Sequence, residues 1–422
     1  MSMGNRGFLN ALGPGLLLAG AAVGVSHLVQ STRAGALYGF GLVGLVIAAN
    51  LFKYPAFRFG PEYAAATGTS LLEGYRRQGR LALGIYLVLT LGTMFTVQAA
   101  VALLTAGLAK ALFGLAWSPA LVVALLFALC AALLAVGRYA WLDAINKVVV
   151  LVLTLSTLAA TLLALPNIPW ADIPWWPAGG FGAGDMLFAA ALVGWMPSAI
   201  DLAVWHSLWT LARREQTGQT PTRRAVLADF HLGYWGAAGL ALCFVILGAG
   251  VMYGRGVAFQ PSAGGFAAQV IELYVATLGD WSRPLISVAA FACMFSTTFT
   301  VVDGFPRALS VLGRRFAGPE AAWSGEAGSR ALYWGSLVVL GAGSVLIVTS
   351  FLKSLKELVD LATTLSFLTA PALAVLNHRA ITGAEVPADA RPGPAVLRFS
   401  LVSIVVLTGL ALTYLWVRFG AA

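Results

Sequence analysis

Gly24-Val25-Ser26-His27 interrupts the first long apolar run of the chain, and Gly194-Trp195-Met196-Pro197-Ser198 interrupts the sixth. Glycine weakens a helix, and proline removes an amide donor and collides with the preceding turn, so both runs are expected to break here. Five segments separate the two breaks. That is the pattern of an inverted five-helix repeat with discontinuous helices, whose binding site lies between the broken ends. A pair of ordinary kinks is the alternative.

Outward from these breaks, the sequence contains eleven apolar runs of roughly the 20 residues a bilayer crossing needs. They fall at 12–37, 41–66, 82–109, 117–136, 143–165, 184–210, 225–253, 282–308, 330–351, 354–377 and 394–418. The expected fold is an all-α integral membrane protein of eleven transmembrane helices with helices 1 and 6 broken. It forms a single transporter domain over 1–422, with 1–165 as the first repeat, 184–377 as its inverted counterpart and 394–418 as an extra helix. The first run reads as a span and not as a cleaved signal. Composition agrees: 59% of the 422 residues are hydrophobic and 10% charged, against about 45–50% and about 25% in soluble domains. Soluble enzymes, nucleic-acid binders and disordered scaffolds are thereby excluded. Cys130, Cys243 and Cys293 lie far apart in apolar runs and read as packing residues.

The net charge of +9 is distributed by loop. With the N-terminus inside, inner loops hold Arg76, Arg77, Arg80, Arg138, Lys147, Arg213, Arg214, Arg223, Arg224, Arg307, Arg314, Arg315, Arg330, Arg379 and Arg391. Outer loops hold Lys110, Arg255, Lys353 and Lys356. The bias expects a cytoplasmic N-terminus in a bacterial-type inner (plasma) membrane. The loop 166–183, rich in Pro, Gly and Trp, reads as an outer, interfacial connector.

Several stretches resemble the NRAMP family of divalent metal transporters. Gly13-Pro14-Gly15 through Ala34-Gly35 to Gly39 lines up on that family's first helix, and Asn50-Leu51 through Thr67-Gly68-Thr69-Ser70-Leu71 on its second. Met196-Pro197 matches its sixth-helix Met-Pro, and His206-Ser207 echoes a downstream His-Ser. Ser296-Thr297-Thr298 resembles its eighth-helix Ser-Ser-Thr. The resemblance implies a secondary transporter with alternating access. The departures are as informative. The family's metal-binding Asp-Pro-Gly-Asn turn is Gly24, Val25, Ser26 and His27 here; its His after Met-Pro is Ser198; its helix-3 acids fall on Gln98 and Val101. Hard divalent ions want carboxylate and carbonyl oxygens, and this set is poor in them.

The expected cargo is therefore a small anion, bicarbonate first, with nitrate or a small carboxylate as close fits. Substrate is expected to bind at Gly24, Ser26, His27, Gly194, Met196 and Ser198, where unwound helix halves present amide N–H groups. Asp201, a carboxylate within a span, is read as a coupling site, a partner for Arg33 or a displaced metal ligand. Thr297 and Thr298 are candidate ligands for Na⁺ as coupling ion. Bland readings stand beside these: His27 bonding a freed carbonyl, Ser26 and Ser198 as helix caps, Arg33 pairing with Glu62 or Asp201. Arg58 with Glu62, and Asp303 with Arg307, read as i,i+4 ion pairs. No resident metal or cofactor is expected. The expected partners are the lipid bilayer and a small inorganic ion, with no nucleic acid and a monomeric state. The rival cargo is a divalent metal (Mn²⁺, Fe²⁺ or Mg²⁺), and a rival class is a non-transporting membrane sensor. Nothing resembles a Walker loop, a nucleophile elbow or a paired-histidine metalloprotease motif, so no enzyme chemistry is expected.

Overall fold

The structure, a computed structural model, describes residues 13–137, 139–176, 180, 182–255, 259–317, 325–350 and 354–420. Arg138 and Lys353, counted above among the loop charges, lie outside them, as do parts of loop 166–183 and the side chain of Lys147.

The first apolar run folds as α1 (Pro14–Ala22), a π-helical turn (Ser26–Ser31) and α2 (Thr32–Tyr38), bent by 44° at the break. Then follow α3 (Val43–Thr67), a short α4 (Leu71–Gln78), α5 (Arg80–Phe113), α6 (Pro119–Val136) and α7 (Tyr139–Ala164). The sixth run is split into α8 (Ala183–Gly194) and α9 (Leu202–Thr217). The chain ends with α10 (Arg223–Met252), α11 (Ala263–Leu278), α12 (Arg283–Ala317), α13 (Glu326–Ser350), α14 (Leu355–Ile381) and α15 (Pro394–Phe419).

Among the described residues, seven helices are long and apolar enough to cross a membrane, or eight if the bent first pair is one span. The three other expected runs correspond to α3, which carries Lys53, Arg58 and Glu62, to α7, and to the split pair α8 and α9. Helix α11 was not expected from the sequence. Its 16 residues reach about 24 Å, short of the roughly 30 Å hydrocarbon core, and its apolar face packs on α5.

Polarity is inverted relative to a soluble protein. Leu121, Leu125 and Leu129 on α6, and Leu401, Val402 and Val405 on α15, are exposed, while Lys53, Glu62 and Arg33 are buried. Lipid solvates the leucines, and the charges need protein partners. Where side chains cannot drive association, close backbone approach does. A Cβ on Gly15 would fall 2.0 Å from the Asp229 carbonyl oxygen, and one on Gly233 would fall 1.9 Å from that of Gly15. Helix α10 thus seats α1 backbone to backbone. The Asp229 carboxylate also accepts from the amides of Gly13 (3.1 Å) and Gly15 (2.6 Å), capping the start of α1. On the far side of the bundle, a Cβ on Gly194 would fall 1.9 Å from the Thr363 carbonyl oxygen of α14, so the end of α8 is clamped.

Candidate substrate site at the helix breaks

The first break opens after Ala22, where the Val23 amide still bonds the Ala19 carbonyl at 2.7 Å. Helical bonding resumes with the amides of His27 (3.1 Å) and Leu28 (2.9 Å) on the Gly24 carbonyl. Gly24 is needed here because a Cβ would come within 3.0 Å of Thr297 on α12. The second break runs over residues 195–201 and contains a cis peptide at Met196-Pro197. The hydrogen bonding of α9 begins with the Leu202 amide on the Ala199 carbonyl at 3.2 Å. The N–H groups from Ser198 to Asp201 lie ahead of it, at the positive end of the half-helix.

Between the breaks lies a cavity of about 30 Å³, room for about two waters. Its polar lining is Ser26, Ser198, Asp201 and Thr297; Val97 and Val101 of α5 and the rings of Trp195, Trp205 and Phe305 complete the wall. Asp201 is 3% exposed and Ser198 8% exposed, so both polar groups of the second break are buried. Close by on α5, neither amide atom of Gln98 has a protein partner, and the same holds for the Trp205 indole N–H and both ring nitrogens of His206 among the described residues.

The expected site residues divide. Ser26, Ser198, Asp201 and Thr297 meet at the cavity. His27 does not line it: Nε2 pairs with the Ala237 carbonyl of α10 at 2.8 Å and Nδ1 with the Ser26 hydroxyl at 2.8 Å. The carbonyl it holds belongs to the interior of α10 and is not one freed by the break. Met196 is fully buried in an apolar cluster that includes Ala34, Val46 and Phe367, with the Ser31 hydroxyl 3.9 Å from its sulfur. Gly24 and Gly194 serve close packing. The Thr298 hydroxyl turns to Thr105 (2.7 Å) and donates to the Met294 carbonyl (2.9 Å), away from the cavity. Thr297 faces inward, with its hydroxyl on the Gly20 carbonyl at 3.0 Å and the Cys293 carbonyl at 3.1 Å. Among the described residues, no group of three or more His, Cys, Asp or Glu side chains is placed to hold a metal ion.

Arg33 pairs with neither Glu62 nor Asp201. Its partner is Asp360 on α14, at 2.7 Å and 3.2 Å, with Gln30 at 2.9 Å and the Phe188 ring 4.9 Å below the guanidinium. The expected i,i+4 pairs form, Arg58 to Glu62 at 2.8 Å and Arg307 to Asp303 at 2.9 Å. Arg223 also joins Glu62, and the Tyr333 hydroxyl joins Asp303 at 2.7 Å.

The residue that sequence reading missed is Lys53. It is fully buried on α3, and its ammonium donates to the carbonyls of Val193 (2.7 Å), Gly194 (2.7 Å) and Ser198 (2.9 Å). The signal was present, because a lysine inside an apolar run is costly and marks a function or a partner.

Two broken helices facing each other across a small chamber with four polar lining residues, in a bundle with its leucines outward, define a secondary transporter of the broken-helix class. Solved structures share the fold. A variant of the manganese transporter of Eremococcus coleocola superposes with a TM-score of 0.73, at 17% identity, over 99% of this chain and 89% of its own. MhsT in complex with L-phenylalanine follows at 0.62, 15% identity and coverage of 94% and 98%; the nucleobase-cation-symport-1 transporter Mhp1 gives 0.56, 14%, 96% and 92%. The uncharacterized protein PM0681 of Pasteurella multocida is 34% identical over 411 residues, 96% of this chain and 92% of the relative. The pattern of the family described as natural resistance-associated macrophage protein-like matches residues 15–417. The chain belongs to the Nramp family, whose members are multi-pass membrane transporters and not enzymes.

Proposed function

We propose that this transporter carries a small anion, bicarbonate first, by alternating access between the two breaks. The observation that carries the reading is the donor set. The helix-6 carbonyls that a cation would use are held by Lys53, while hydroxyls and half-helix amides border the chamber. The anion would lie on the N–H groups from Ser198 to Asp201 with the Ser198 hydroxyl as a further donor; the Ser26 hydroxyl already donates to the Ala22 carbonyl at 2.5 Å and lines the chamber without a free proton. Na⁺ is the proposed coupling ion, held by the Asp201 carboxylate with the Thr297 oxygen; this replaces the pairing of Thr297 with Thr298. The chamber must widen as α1 and α9 part to admit the substrate. The proposal keeps the N-terminus cytoplasmic, on the arginine-rich face, in the plasma membrane, with the chain acting as a monomer and 1–165 and 184–377 as inverted halves.

A divalent metal is the second reading. Family membership and the likeness to a manganese transporter favour it; the lack of a clustered donor set among the described residues does not. Proteoliposomes with an internal pH reporter separate the two. An inward bicarbonate gradient with Na⁺ should alkalinise the lumen, and Mn²⁺ uptake should be absent. Saturable Mn²⁺ uptake without a bicarbonate response would overturn the anion reading.

A further inference from the structure

We propose that Lys53 determines ion specificity at the break in helix 6, its ammonium acting as a built-in cation that fills the carbonyl cage of Val193, Gly194 and Ser198. The cage is a ready cation site. Val193 and Gly194 supply carbonyls from the last turn of α8, where the half-helix is negative and intrahelical partners run out. Ser198 contributes a third oxygen from the far side of the break. In broken-helix transporters such carbonyls coordinate the transported or coupling cation. An ammonium has three N–H donors, and this one spends all three on the cage at 2.7, 2.7 and 2.9 Å.

The fit is enforced by packing. Gly194 is clamped against the Thr363 carbonyl of α14, so its own carbonyl cannot swing away. Lys53 reaches the cage from α3 and is wholly buried, which leaves the ammonium no route to water. A free metal ion approaching the break would meet a fixed positive charge and three occupied oxygens. The inference stands on the break itself; only the expected indifference of the wild type to Mn²⁺ rests on the anion reading of the cargo.

Amine rescue tests it. The full chain, purified in detergent, would be melted as wild type, Lys53→Ala and Lys53→Met, with n-propylammonium, ammonium or Mn²⁺ added. Lys53→Ala should melt lower and regain about 2 °C, saturably, with n-propylammonium. Tetramethylammonium, which has no N–H, should do nothing, and the wild type should respond to none of these cations. Lys53→Met, which keeps the stem and removes the charge, should gain saturable stabilisation by ammonium and by Mn²⁺; it decides the question if the alanine variant does not fold. Folded variants as indifferent to all three cations as the wild type would overturn the proposal. So would a wild type that already binds n-propylammonium. Neither result bears on bicarbonate transport by the wild type, which tests the cargo separately.

Discussion

Arg33 of α2 and Asp360 of α14 meet in a two-armed ion pair, 2.7 Å and 3.2 Å, that ties the second half of helix 1 to α14. Gln30 braces both partners, bonding Arg33 at 2.9 Å and Asp360 at 3.2 Å. Phe188 of α8 supports the guanidinium from below. Helices α2, α8 and α14 are thus fastened together at one point toward the face that carries Trp170 and Trp175, so opening that face requires the pair to part.

Arg33→Ala should therefore shift the chain toward the state open on that face. With Ser26→Cys as reporter and the three native cysteines replaced, a membrane-impermeant thiol reagent should label about tenfold faster, the factor that a loss of about 1.4 kcal/mol produces. Unchanged labelling would show that the pair does not gate the chamber.

Asp201 is the lone carboxylate among the described lining residues of the chamber. Asp201→Asn keeps the volume and removes the charge, so Na⁺ stimulation of bicarbonate uptake should disappear while the protein stays folded. Ser198→Ala should instead raise the half-saturating bicarbonate concentration about tenfold, the cost of roughly one lost hydrogen bond to a charged group. Uptake kinetics in proteoliposomes separate the two effects.

His27 is predicted to matter for stability and not for selectivity, because both of its ring nitrogens are spent on Ala237 and Ser26. His27→Ala removes the side-chain partner of the Ala237 carbonyl, which keeps its helical bond, at a cost of about 1 kcal/mol. Thermal unfolding should register the loss, and the bicarbonate concentration dependence should not move.

Glu73 on α4, a helix too short to span, gathers Arg76 (2.6 Å), Arg315 (3.1 Å) and Arg77 (3.3 Å). Burial works to raise its carboxyl, but these guanidinium groups outweigh it and hold the group below its ordinary value. A carboxylate lowered by folding contributes stability that is present above its unfolded value and is lost as pH falls through its folded value. Melting temperature should accordingly fall with acid, and Glu73→Gln should flatten that part of the profile. At neutral pH the substitution should cost roughly 1 kcal/mol, because the arginines reach solvent. An unchanged acid limb in the variant would count against this role.

Membrane class, the existence of two broken helices and the i,i+4 pairs at Arg58–Glu62 and Asp303–Arg307 were all legible along the chain. Each depends on neighbours within a turn or on the composition of a run, which is local information. Helix α11 escaped notice because its apolar stretch is too short to span and gains its place by packing on α5. The site was legible only in part. Ser26, Ser198, Asp201 and Thr297 could be named as candidates, yet nothing in their spacing said that His27 would turn to α10, Thr298 to Thr105 or Met196 into the core. A residue in an unwound segment has no helical phase to fix its direction, so neighbouring helices choose it.

Periodicity, hydropathy and the Gly and Pro positions carry the architecture, because a bilayer permits so few solutions for an apolar chain. The partners of the buried charges are different in kind. Lys53 reaches Val193, Gly194 and Ser198 across some 140 residues of sequence, and Arg33 reaches Asp360 across 327. Such pairings arise when packed helices bring distant groups together where water cannot compete. Tertiary structure alone could therefore decide that a lysine, and not a free ion, occupies the break in helix 6.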